Sequence, residues 1–183
     1  MKNTIIVLLC VFSVCNFINA QEKFITKTGE LSFEASVPSF EEVQAKNENV
    51  SAILKSTGEF ASLALMKGFR FKVALMEEHF NENYAETSKF PKTTFRGTIE
   101  NFDLSQLSEN DKTFIVKGII TMHGVEKPVE VPAAIKKIEE IIYLATNFIL
   151  KPGDFDIEIP SIVSSKIAEE VNVTANFILK SKS

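Results

Sequence analysis

Beyond Cys15 the chain has no cysteine, and it has no tryptophan anywhere. The first absence excludes disulfides, thiolate metal sites and a cysteine nucleophile from everything after residue 20, so stability there has to come from packing. A basic excess is missing too. The whole chain carries a formal charge of −4, with acids and bases interspersed. No basic stripe can neutralise phosphates, which excludes nucleic acid as a partner. Long apolar runs are confined to the N-terminus, so no integral membrane segment is expected in the body of the chain. Neither a G-x-S-x-G elbow nor a phosphate-binding glycine loop nor a dinucleotide fingerprint occurs. The chain is therefore expected not to be an enzyme and to need no cofactor. Internal repeats, low-complexity tracts and interdomain linkers are also lacking, which predicts one domain over residues 21–183.

Residues 1–20 read as a removable leader. Lys2 supplies the positive start, Ile5 to Val14 the apolar stretch, and Ile18-Asn19-Ala20 a cleavage site before Gln21. Lipidation at Cys15 is the weaker reading, because Phe12-Ser13-Val14 lacks a small residue just before the cysteine. The expectation is an exported protein, periplasmic or extracellular.

What is abundant is phenylalanine: sixteen, of which only Phe12 and Phe17 lie in the leader. Phenylalanine has no polar handle, so this many suggest a wide apolar interior. A packed core and a ligand-lined bore both fit that composition.

The chain is patterned mainly for strands. Thr113 to Pro132 reads as a hairpin, with Phe114, Val116, Ile120 and Met122 sharing one face and Gly118 between them. His123-Gly124-Val125-Glu126 supplies the turn, where Gly124 can take a positive φ. Further strands are predicted over Gly29–Pro38, Asn49–Lys55, Glu59–Met66, Thr93–Phe102, Lys127–Lys136, Glu140–Leu150 and Val171–Leu179. Ser39 reads as the cap of a short helix through Glu41, Glu42 and Val43. The spacing of Phe69, Val73, Met76 and Phe80 predicts a second helix over about Lys72–Asn81. Eight antiparallel strands with one or two short helices predict an all-β barrel.

Aligning the apolar faces across the loop near residue 105 pairs Phe95 with Ile120, Gly97 with Gly118, and Ile99 with Val116. Two facing glycines in mid-strand imply a sharp coil in the wall or room for a ligand against the backbone.

Gly118-Ile119-Ile120-Thr121-Met122-His123-Gly124-Val125-Glu126-Lys127-Pro128-Val129 resembles the G-x-L-T-x-H-G-V-x-K-P-V signature of the YceI-like family, with Ile120 in place of the usual Leu. Thr28-Gly29-Glu30-Leu31-Ser32-Phe33 is similar to its opening strand. Met76 to Tyr84, with Phe90-Pro91-Lys92-Thr93-Thr94-Phe95-Arg96-Gly97, is similar to its helix and following strand. Asp154-Phe155-Asp156-Ile157-Glu158-Ile159-Pro160 resembles a late family element. The resemblance implies a lipocalin-like barrel that holds a long isoprenoid or related lipid, exported from the cytoplasm. It implies an apolar lipid as partner and transient contact with a membrane surface; a homodimer and a monomer both remain open.

Strand parity, rather than the resemblance, nominates the bore. Phe33, Phe60, Phe95, Gly97 and Ile99 face inward on the earlier strands. Phe114, Val116, Gly118, Ile120, Phe148 and Phe177 do so on the later ones, and Met76 and Phe80 close one side from the helix. His79 and Glu82, with distant His123, form too sparse a set for a metal, and a solvated acidic helix face is the expectation. His123 is expected to hold the turn by a structural hydrogen bond.

Overall fold

In the computed structural model the described residues are 22–38, 40–161 and 163–182. Among these residues nine strands form one sheet: β1 (Lys23–Ser36), β2 (Gln44–Lys55), β3 (Glu59–Leu65), β4 (Arg70–Phe71), β5 (Lys92–Ile99), β6 (Lys112–Met122), β7 (Val125–Ile138), β8 (Ile141–Leu150) and β9 (Ile167–Lys182). Every pairing is antiparallel, and β1 bonds to both β9 and β2. Eight strands thus close into a barrel, and the two-residue β4 only extends the edge of β2. Closure leaves the long strands no free edge.

Period-two patterning explains the wall. In β9, Val173, Ala175, Phe177 and Leu179 are buried, while Asn172, Asn176, Ile178 and Lys180 between them are exposed. The register across β5 and β6 pairs Phe95 with Ile120, Gly97 with Gly118 and Ile99 with Val116, as the apolar faces require. The β6–β7 hairpin turns through His123 and Gly124, with φ of 52° and 81°. Two consecutive left-handed residues give the turn whose twist matches that of its flanking strands.

One end of the barrel is solid. Phe24, Leu54, Ile99, Ile135, Ile142 and Leu179 are fully buried there. Each lies near the terminus of its strand, at the end that carries the β2–β3 and β7–β8 turns. Leu104 and Leu107, on the connection between β5 and β6, pack beneath them. We call this end the floor. Burying each such side chain contributes about 1.5–3 kcal/mol.

The opposite end is covered by the insertion between β3 and β5. It contains β4, a helix α1 (Ala74–His79) and a π turn (Phe80–Tyr84). Phe33, Phe69, Phe71 and Phe80 stack edge to face or tilted, with centroids 5.2–5.8 Å apart, and so join the insertion to β1. Asn47, buried on β2, donates to the Leu65 carbonyl at 2.9 Å and accepts from the Asn49 amide at 2.9 Å, pinning the root of the insertion.

Two expectations are corrected. The helix through Glu41, Glu42 and Val43 does not form; Ser39, its cap, lies outside the described residues. Residues 41–43 are irregular instead; Ala35 N–H bonds to the Val43 carbonyl at 2.9 Å and Val43 N–H to Ser36 Oγ at 3.1 Å, which ties the segment to the end of β1 and leads it into β2. Non-local pairing outweighs a weak local capping signal. The strands expected from Gly29 and Asn49 start earlier, at Lys23 and Gln44, because bulges near Thr26, Gly29 and Leu31 break the alternation that marks a strand in sequence.

Candidate functional site

Between the floor and the covering insertion lies a cavity of about 490 Å³ that opens at the mouth of the barrel. Of the residues nominated by parity, Phe33, Phe60, Phe95, Val116, Ile120, Phe148 and Phe177 border it from the wall. Met76 and Phe80 border it from the insertion. The strand positions follow from alternation. The two insertion residues follow from helical spacing, which turns Met76 and Phe80 to the same side.

Four nominated residues do not border the cavity: Ile99, Phe114, Gly97 and Gly118. Ile99 and Phe114 are 2 % and 6 % exposed and belong to the floor. Parity gave their side of the wall but could not give their height along the barrel axis. Gly97 and Gly118 do face inward, yet the space over them is taken. A Cβ on Gly118 would stand 2.4 Å from the Arg96 carbonyl oxygen and 2.5 Å from the Phe95 ring. One on Gly97 would stand 2.2 Å from the Lys117 carbonyl oxygen and 2.7 Å from the same ring. The occupied space removes the second cause expected for the pair, room for a ligand against the backbone. The glycines let two backbones and one aromatic ring close on each other, and Phe95 supplies the cover that they lack.

Other bordering residues went unpredicted. Val129, Val131 and Val173 lie on inward faces and were available to the same parity argument. Phe40, Ile157, Ile159 and Val163 come from irregular segments at the mouth, where alternation carries no information.

Charge is confined to the rim. Glu41, His79 and Lys166 border the mouth, and all three are exposed. His79 was expected on a solvated face; it is solvated, but it also edges the opening. Lys72 Nζ reaches Glu42 Oε2 at 2.6 Å, linking the insertion to the approach of β2. The hydrogen bond from Lys72 holds the Glu42 carboxyl below its ordinary range. At this exposure such a pair contributes little to stability.

His123 ties three segments together. Its Nδ1 lies 3.0 Å from the Phe155 carbonyl, its Nε2 lies 2.9 Å from Glu86 Oε2, and its ring packs 4.2 Å from that of Phe90. A carbonyl can only accept, so Nδ1 carries the hydrogen. The residue does bond structurally, but it bridges distant loops rather than holding its own turn. Among the described residues no group of three or more His, Cys, Asp or Glu is placed to hold a metal. None of the described helices is long and apolar enough to cross a membrane.

The geometry is similar to that of several solved structures. A polyisoprenoid binding domain from Saccharophagus degradans, implicated in plant cell wall breakdown, superposes with a TM-score of 0.75 at 16% identity, covering 87% of this chain and 98% of that one. Burkholderia cenocepacia BcnA gives 0.68 at 14% identity, covering 82% and 95%. The YCEI protein of Campylobacter jejuni gives 0.62 at 15% identity, covering 80% and 89%. No curated protein matches the chain by sequence. At these identities the likeness is one of fold. The sequence itself matches the YceI-like domain over residues 17–179. With the hairpin signature lying inside that match and the barrel of its structural neighbours around it, the chain belongs to the YceI-like family.

Proposed function

We propose that this protein binds a long apolar lipid, of the polyisoprenoid, isoprenoid quinone or fatty-acid kind, inside the barrel and outside the cytoplasm, without catalysis. The observation that carries this is the cavity: about 490 Å³, walled by phenylalanine and aliphatic side chains, with ionisable groups only at its rim. At roughly 30 Å³ per water-sized group, it has room for about sixteen such groups. A buried methylene contributes about 0.8 kcal/mol, so a dozen of them yield roughly 10 kcal/mol. That is comparable with the roughly 4–15 kcal/mol lost on association, so a chain of this length needs no charged anchor. The polyisoprenoid binding domain among the structural neighbours supports the same reading. A barrel filled by its own side chains, acting through its surface, accounts for the floor but not for the space above it.

Export rests on the leader pattern of residues 1–20. Native mass spectrometry of protein purified from its own host, followed by lipid extraction and N-terminal sequencing, tests both parts. The expected result is a stoichiometric hydrophobic species on a chain that begins at or near Gln21. Protein that stays free of lipid and takes up no added isoprenoid would overturn the binding reading. Met1 retained on most of the soluble protein would overturn export.

A further inference from the structure

Among the described residues around the cavity, the acidic and basic side chains are Glu41, His79 and Lys166, and all three are exposed at the mouth. Within the wall the polar groups are hydroxyls. That of Thr93 donates to the Thr121 carbonyl at 3.1 Å, and that of Thr146 to the Pro132 carbonyl at 2.7 Å. Both hydroxyls are thus spent on the wall; of the other bordering hydroxyls, Thr94 alternates with inward Phe95 and so lies on the outward parity of β5, and Tyr84 belongs to the covering insertion.

Ser62 differs. It borders the cavity from β3, and its hydroxyl has no hydrogen-bond partner among the described residues. Its surroundings are apolar on every side. Phe60 and Ala64 flank it on the same face of β3, while Ala52 and Phe95 are its cross-strand partners. It stands one inward position above Phe60, whose ring lies 5.9 Å from that of Phe95 and 5.4 Å from that of Phe177. The hydroxyl therefore sits low in the cavity, just above the rings that meet the floor. A hydroxyl among hydrocarbon walls is costly unless something bonds to it.

We propose that Ser62 is the specificity contact of this cavity: it hydrogen-bonds an uncharged polar group, a hydroxyl or carbonyl, on a lipid that enters polar end first. The inference rests on the lipid-binding reading and narrows it to neutral lipids. A phosphorylated head at that depth would lose its hydration with no cation nearby, because the bordering lysine is at the opposite end. A plain hydrocarbon would leave the Ser62 hydroxyl unsatisfied. Sites built to bond a substrate hydroxyl discriminate against analogues that lack it.

The test uses the full chain, stripped of lipid, and displacement of an environment-sensitive apolar dye. Farnesol, farnesyl monophosphate and the hydrocarbon farnesene serve as competitors of matched length. Farnesol is expected to compete about five- to ten-fold better than farnesene, the worth of one neutral hydrogen bond. Farnesyl monophosphate is expected to be weaker than farnesol by more than about ten-fold. Ser62→Ala should bring farnesol and farnesene to within about two-fold, because farnesol loses its partner and farnesene no longer leaves a hydroxyl unsatisfied. Ser62→Cys, which keeps the volume but bonds weakly, should behave likewise and guards against a folding defect in the alanine variant. Equal ranking of the competitors in native and variant protein would overturn the role of Ser62 and leave lipid binding standing. Farnesyl monophosphate that binds as well as farnesol would overturn the restriction to neutral lipids. Failure of the dye and of all three competitors to bind would overturn this inference together with the reading beneath it.

Discussion

Gly118 shows how a single hydrogen atom in place of a side chain can hold a barrel wall together. Its missing Cβ is replaced by the Arg96 carbonyl, the Gly97 Cα and the Phe95 ring, all within 2.7 Å of where the Cβ would be. The ring could rotate away, but the two backbone atoms could not. Gly118→Ala is therefore expected to cost about 1–3 kcal/mol or more by overpacking. Adding Phe95→Ala should not restore the loss, because the backbone contacts remain. Urea denaturation of the single and double variants checks this, and recovery in the double variant would show that the ring alone sets the constraint. Phe114 and Phe148 make a second contrast at this scale. Phe114 is 6 % exposed in the floor, so Phe114→Ala should cost about 3–5 kcal/mol. Phe148 is half-buried and borders the cavity, so Phe148→Ala should cost clearly less in lipid-free protein. Equal losses would mean that Phe148 is packed as tightly as the floor.

At the scale of elements, the mouth depends on cross-ties between segments that are far apart in sequence. His123 links the β6–β7 turn to Glu86 at the end of the insertion and to Phe155 in the connection between β8 and β9. Asparagine also tolerates the left-handed conformation that residue 123 adopts, so His123→Asn keeps the turn and removes the ties. A loss of about 1–3 kcal/mol is expected, with faster release of a bound apolar dye by stopped flow. Unchanged release would show that the loops are held by the aromatic cluster alone.

The floor has its own tie. Asp103 accepts from the Ser105 amide at 2.9 Å and from its hydroxyl at 2.6 Å, shaping the turn that brings Leu104 and Leu107 under the core. The Ser105 hydroxyl first, and its backbone amide second, hold the Asp103 carboxyl below the ordinary aspartate value. A carboxyl that is more acidic folded than unfolded stabilises the protein above its unfolded pKa, and that contribution is lost as pH falls through the folded one. Melting temperatures across a pH series should therefore fall less on the acid side in Asp103→Asn than in the native chain. Parallel curves would remove Asp103 from the account.

Over the whole molecule, what could be read in advance was whatever depends on local periodicity. Alternation in Phe95-Gly97-Ile99 and Val116-Gly118-Ile120 placed the strands, their inward faces and their register, because a slip of one residue would turn each apolar face to water. Helical spacing of Met76 and Phe80 put both on the cavity side, and the hairpin signature carried the family. Height along the barrel axis was not legible. Phe114 and Phe177 have the same parity, yet one lies in the floor and the other borders the cavity, because that depends on strand tilt and stagger around the closed sheet. The irregular mouth was not legible either: Glu41 to Val43 carried a helix signal, yet the segment is irregular and its Val43 carbonyl bonds back to β1. Nor did His123 reveal its partners, 37 and 32 residues away. The sequence by itself determined which way each wall residue points, since a strand's geometry repeats every two residues. Only the closed tertiary structure decided which inward residues meet one another and which are left facing space.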